Sequence, residues 1–192
     1  MAAAPAAART LLVLGDSLSA EYGLPRGAGW VALLAARLAR ERPSVQVVNA
    51  SISGDTTSGG RSRLPALLAR LRPAVVVIEL GGNDALRGLP LAMTRENLLA
   101  MVRAAKGAGA RVLVVGVAVP PNYGRKYGEE FFKLFGEVAR AEGLGKAPFL
   151  LAGVADAPDA ASWFQDDRIH PKAQAHPRML ANVWPALAPL LH

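Results

Sequence analysis

Five short, continuous apolar runs alternate along the chain with amphipathic helical patterns, and this alternation limits the folds available. The runs cover residues 10–14, 45–48, 74–80, 111–119 and 148–151. The third holds three consecutive valines and an isoleucine, which suits a strand buried on both faces. Helical patterns fill 28–40, 64–71, 94–106, 129–142 and 171–190. In the first, Val31, Leu34, Ala35 and Leu38 fall on one face. Thr94 is placed to cap the third, and Pro65 lies early enough in the second to be tolerated. Residues 51–60, rich in Ser, Gly and Thr, read as loop. The expected fold is therefore α/β: a three-layer α/β/α, flavodoxin-like arrangement around a five-stranded parallel sheet in the order 2-1-3-4-5. It is expected to form one domain over residues 10–192, after a flexible segment over 1–9.

Composition narrows the function classes. With 192 residues, 52% apolar and 19% charged, the chain can bury a core and is not a disordered polymer. No apolar run reaches the roughly 18 residues of a membrane span. Cysteine is absent, so thiolate nucleophiles and Cys-ligated zinc are excluded. The net charge is +7, but Arg37, Arg40, Arg42, Arg61, Arg63, Arg70 and Arg72 are scattered over polar helix positions. They read as solvated faces, with weak attraction to an anionic membrane surface as the smaller alternative. There is no nucleic-acid motif, and no nucleic-acid partner is expected. The alanine-rich start, residues 1–8, resembles the small-residue end of an export signal. A periplasmic or secreted location is expected, with the cytoplasm as the alternative.

In open parallel sheets the ligand crevice lies at the carboxyl ends of the strands. Three small polar clusters stand there: Gly15-Asp16-Ser17-Leu18-Ser19, then Asn49-Ala50-Ser51-Ile52-Ser53-Gly54-Asp55, then Gly81-Gly82-Asn83-Asp84. A fourth, Gln165-Asp166-Asp167-Arg168-Ile169-His170-Pro171, must fold back to join them. Together they hold the parts of an acyl-transfer site. A serine hydroxyl needs a base, and an imidazole titrates near neutrality. His170 can activate Ser17, and Asp167 can fix the imidazole's tautomer if the segment makes one helical turn. The N–H groups of Ser17 and Gly54, with the Asn83 amide, can receive an oxyanion.

These blocks resemble those of the SGNH hydrolases, also called GDSL esterases/lipases. The strings Glu79-Leu80-Gly81-Gly82-Asn83-Asp84 and Pro121-Asn122-Tyr123-Gly124-Arg125 narrow the likeness to the bacterial thioesterase I/protease I/lysophospholipase L1 group and its arylesterase relatives. The resemblance spans about residues 10–190. It implies cofactor-free hydrolysis of a small-molecule or lipid ester or thioester, with Ser17, Asp167 and His170 catalytic and Ser17, Gly54 and Asn83 forming the oxyanion hole. It also implies a mobile loop over 85–90 beside an acyl groove, and a substrate contact from Tyr123. Glu21 and Arg168 depart from the family pattern and bear on acyl or leaving-group preference.

Leu18, Leu24, Leu86, Leu89 and Val119 favour an apolar acyl or aryl pocket, with Leu86 and Val119 as substrate contacts. A carbohydrate O-deacetylase would need a polar groove instead. A flavodoxin-like binding module is the non-catalytic alternative, but it lacks G-x-G-x-x-G and a P-loop lysine. Asp16 and Asp84 are expected to brace their loops, Glu79 to be structural, and Trp30, Trp163 and Trp184 to pack, with Trp163 close enough to wall the site. His176 and His192 are expected at the surface. Asp166, Asp167, His170 and His176 lack a second His/Asp pair at ligand spacing, so no metal is expected.

Overall fold

The computed structural model describes residues 9–192. The flexible segment expected over 1–9 lies outside them except for Arg9, which opens the first strand. Four parallel strands, β1 (Arg9–Gly15), β2 (Val45–Asn49), β3 (Val75–Glu79) and β4 (Arg111–Val114), form a sheet in the order β2-β1-β3-β4. β3 is buried along its whole length. On one side α1 (Trp30–Glu41) packs against α7 (His176–Leu187); on the other, α2 (Thr57–Leu71) and α5 (Arg125–Ala141) flank α4 (Leu91–Gly107). Two short helices, α3 (Gly82–Leu86) and α6 (Ala160–Trp163), complete the α-helices among the described residues.

The expected fifth strand is reduced to a single parallel bridge, Gly116 to Phe149. Two hydrogen bonds make it, Gly116 N–H to the Pro148 carbonyl at 2.8 Å and Leu150 N–H to the Gly116 carbonyl at 2.9 Å. Pro148 has no N–H to extend the ladder, and the chain turns at Leu150. The fold class is as expected; among the described residues the sheet has four strands.

Helix boundaries also differ. α2 starts at Thr57, inside the expected loop, because Thr56 caps it and the Asp84 carboxylate accepts the Thr57 N–H at 2.8 Å. Thr94 does not cap α4. It lies one turn inside, buried, with its hydroxyl donating to Asp84 at 3.3 Å. The expected terminal helix over 171–190 narrows to α7 between two 3₁₀ turns.

Candidate active site

Ser17 stands in the turn that leaves β1. The Asp16 side chain accepts the Leu18 N–H at 3.0 Å and the Asp16 carbonyl accepts the Ser19 N–H at 3.2 Å, so the turn winds around Asp16. Close packing behind it excludes a side chain at Gly15. A Cβ there would lie 2.8 Å from Ser19 and 2.9 Å from the Glu79 carboxylate.

His170 comes from the far end of the sequence. Its Nε2 lies 2.8 Å from Ser17 Oγ and its Nδ1 lies 2.6 Å from Asp167 Oδ2. The expected single helical turn is absent. Instead Asp167 Oδ1 accepts the N–H groups of Ile169 and His170, each at 2.9 Å, and Arg168 adopts φ of 57°. A side chain's own carboxylate thus organises the turn, and Arg168 takes the left-handed conformation that glycine adopts without strain. Burial pushes the Asp167 carboxyl upward. The His170 N–H, the imidazole and the Ile169 N–H outweigh it and hold the group below the usual carboxylate range. The Tyr22 ring lies 4.2 Å from the imidazole, centroid to centroid. Tyr22 was not legible in the sequence, since an exposed tyrosine carries no motif.

The N–H groups of Ser17 and Gly54 are claimed by no acceptor among the described residues. Gly54 has φ of 80°, open to glycine at little cost. The Asn83 Nδ2 atom donates to the Asp55 carbonyl at 2.9 Å and to Asp16 Oδ2 at 3.1 Å, so both amide hydrogens have partners. Asn83 is thereby pinned between the loops that carry Ser17 and Gly54. Burial, with Asp55 and Asp84 nearby, raises the Asp16 pKa to about 7 against the pull of the Leu18 N–H and the Asn83 amide. Glu79 is fully buried, and burial raises its pKa well above the usual range. Its Oε2 accepts the Ser19 hydroxyl at 2.6 Å, and that hydroxyl accepts the Trp30 indole N–H at 3.1 Å. Both acids are therefore scaffolding beneath the serine. Asp84 likewise braces its loop against α2 and α4.

A cavity of about 580 Å³ opens beside Ser17, His170 and Asn83, with Leu18, Leu86 and Val119 among its walls. Phe149, Leu151 and Phe164 extend the apolar lining. Gly54, Leu24, Leu89, Trp163 and Tyr123 lie off it. Tyr123 instead donates its hydroxyl to the Leu86 carbonyl at 3.3 Å, so it supports a wall residue. Trp163 donates its indole N–H to Asp159 at 3.1 Å. Glu21 is not among the residues that line the cavity; its Oε1 accepts the Gly27 and Gly29 N–H groups, each at 2.9 Å. His192 is exposed, but His176 is buried and its Nδ1 accepts the Trp30 N–H at 2.9 Å. A larger groove, about 1210 Å³, runs between α5 and α7 but contains neither Ser17 nor His170.

The GDSL-like Lipase/Acylhydrolase family matches residues 13–178. The chain belongs to this family. Among its relatives, Esterase TesA of Pseudomonas aeruginosa is 54% identical over 186 residues, 97% of this chain and 91% of that protein. Thioesterase 1/protease 1/lysophospholipase L1 of Escherichia coli is 42% identical over 187 residues, 97% of this chain and 87% of that protein. A crystal structure of TesA superposes with a TM-score of 0.88 at 52% identity, covering 95% of this chain and all of that one. The matched span takes in all four polar clusters of this GDSL hydrolase, from the Ser17 turn to His170.

Proposed function

We propose that the chain is a serine hydrolase that cleaves carboxylic esters and thioesters through an acyl-enzyme. The observation that carries this reading is the relay from Ser17 Oγ to His170 Nε2 at 2.8 Å and from His170 Nδ1 to Asp167 at 2.6 Å, set at the mouth of an apolar cavity. His170 takes the hydroxyl proton as Ser17 attacks the acyl carbonyl, and Asp167 stabilises the imidazolium that forms. The oxyanion is received by the unclaimed N–H groups of Ser17 and Gly54. Asn83 joins them by turning one amide hydrogen from Asp16 or Asp55 to the new charge. The imidazolium then protonates the leaving alcohol or thiol. Water, deprotonated by His170, releases the acid and restores Ser17.

The walls favour an acyl or aryl group over a sugar, because Leu86, Val117, Val119, Phe149 and Leu151 offer no hydrogen bonds from their side chains. The cavity size suits aryl esters and short- to medium-chain acyl groups, and the likeness to the E. coli thioesterase 1/protease 1/lysophospholipase L1 supports thioesters and lysophospholipids as further substrates. Ser17→Ala is expected to lower kcat on p-nitrophenyl butyrate by roughly 10⁴–10⁶-fold with an unchanged circular dichroism spectrum. Retained turnover in the folded variant would refute the assignment. A panel of p-nitrophenyl esters, acetylated sugars and acyl-CoA thioesters tests the substrate class, and a preference for acetylated sugars would overturn it.

A further inference from the structure

The segment that follows Asn83 makes a second, separate hold on the Gly54 loop. Arg87 closes the short helix α3, four residues after Asn83, so the two side chains leave the same helix face. Asn83 Nδ2 donates to the Asp55 carbonyl at 2.9 Å, and Arg87 Nη2 donates to the Gly54 carbonyl at 2.8 Å. Two consecutive carbonyls of the loop are thus bound from one turn of helix. The Gly54–Asp55 peptide is held on its other side by the Asp55 N–H, which donates to the Ile52 carbonyl at 3.0 Å, so Arg87 adds the second hold on it. Gly54 has φ of 80° and no side chain, and the one heavy atom within 4 Å of a Cβ built there is Arg87 Nη2, at 3.8 Å.

The residue before Arg87 joins this contact to the cavity. Leu86 lines the cavity wall, and its carbonyl accepts the Tyr123 hydroxyl. Arg87 forms no ion pair with any acid among the described residues. Its side-chain hydrogen bond goes to the loop that carries a proposed oxyanion donor.

We infer that Arg87 is a positioning residue for ester hydrolysis: its guanidinium holds the Gly54–Asp55 peptide by its carbonyl, and so restrains the rotation at Gly54 that would swing the N–H of the preceding peptide away from the developing oxyanion. The inference rests on the hydrolase reading above. Arg87 acts through Gly54 and does not touch the reacting atoms. Its effect therefore belongs in kcat, equally for neutral and anionic substrates. An arginine that bound a leaving group would act in KM, and only on anionic ones.

The test compares the wild type, Arg87→Met, Arg87→Lys and Ser17→Ala on neutral p-nitrophenyl butyrate and anionic butyryl-CoA. Arg87→Met is expected to lose about tenfold in kcat on both, less than the roughly 10²–10³-fold lost with a donor itself. KM should move by less than about twofold. Labelling of Ser17 by a fluorophosphonate should slow in the same proportion as kcat. Arg87→Lys, which can still donate to the carbonyl, should recover most of the rate, and the melting temperature should shift by less than about 2 °C. Unchanged kcat in Arg87→Met overturns the inference. So does a loss confined to the KM for butyryl-CoA, and so does a loss that tracks a lowered melting temperature and is not rescued by lysine. If Ser17→Ala keeps its activity, both readings fall together. If Ser17→Ala is dead while Arg87→Met is fully active, this inference alone fails.

Discussion

Asp16 sits beside the nucleophile yet points inward, where one carboxylate closes the serine turn through Leu18 and holds Asn83 from below. An amide at this position can accept from one of those donors but presents its own N–H groups to the other. Asp16→Asn is therefore expected to lower kcat by about tenfold or more, on the scale of a disturbed oxyanion donor, with substrate binding little changed. Steady-state kinetics on p-nitrophenyl butyrate checks this; a fall in kcat/KM that comes from KM alone would count against it. Asp167 shows the opposite use of a carboxylate. Its two backbone hydrogen bonds and the imidazole favour the charged form, which is the form that can stabilise an imidazolium.

Helix starts in this protein are set largely from a distance. The first N–H of α1, on Trp30, is satisfied by the imidazole of His176, which begins α7. Gly29, the residue in the capping position, has no side chain to do so. His176→Phe leaves that N–H without its acceptor in the core and is expected to cost about 1–3 kcal/mol in urea unfolding. The same two helices are clamped further along by the Arg37 guanidinium, 3.6 Å above the Trp184 ring. On the other face, α2 approaches the sheet so closely that a Cβ at Gly60 would lie 2.3 Å from the buried Leu80 side chain and 3.2 Å from Met101. Gly60→Ala should gain about 1 kcal/mol of helix propensity and lose about 1–3 kcal/mol to overpacking. The net expectation is destabilisation, read as a lowered urea midpoint.

Across the whole molecule, two buried groups give stability opposite dependences on pH. Burial depresses the His176 pKa against the pull of the Pro171 carbonyl and Glu21. Its contribution is present above the ordinary imidazole value of 6.5 and is lost as pH falls from there through the lower folded value. Asp16 has its pKa raised from 3.8 to about 7, so its contribution is full below 3.8 and is lost as pH rises through about 7. Glu79 acts in the same direction as Asp16. Chemical denaturation between pH 4 and 8 should therefore separate them. His176→Gln should leave stability falling more steeply with rising pH than in the wild type, and Asp16→Asn should make that fall shallower. Parallel profiles in all three proteins would show that these groups do not govern the dependence.

The parallel strands and the clusters that hold the candidate relay residues could be read in the chain because they depend on local pattern; the strand order was an expectation from the flavodoxin-like class, and it holds for the four strands that form. Buried parallel strands must be apolar throughout, and Ser17, Gly54, Asn83, Asp167 and His170 sit in short clusters whose chemistry is visible residue by residue. What the sequence left open was decided by contacts between distant segments. α2 begins early because Asp84, 27 residues away, binds its first turn. His176 is buried because α1 needs an acceptor, and the fifth strand shrinks to one bridge because Pro148 cannot continue a ladder. The hold of Arg87 on Gly54 spans 33 residues and carries no periodicity or motif. Local propensity acts over a few residues; a hydrogen bond across the fold exists only once packing has brought its ends together.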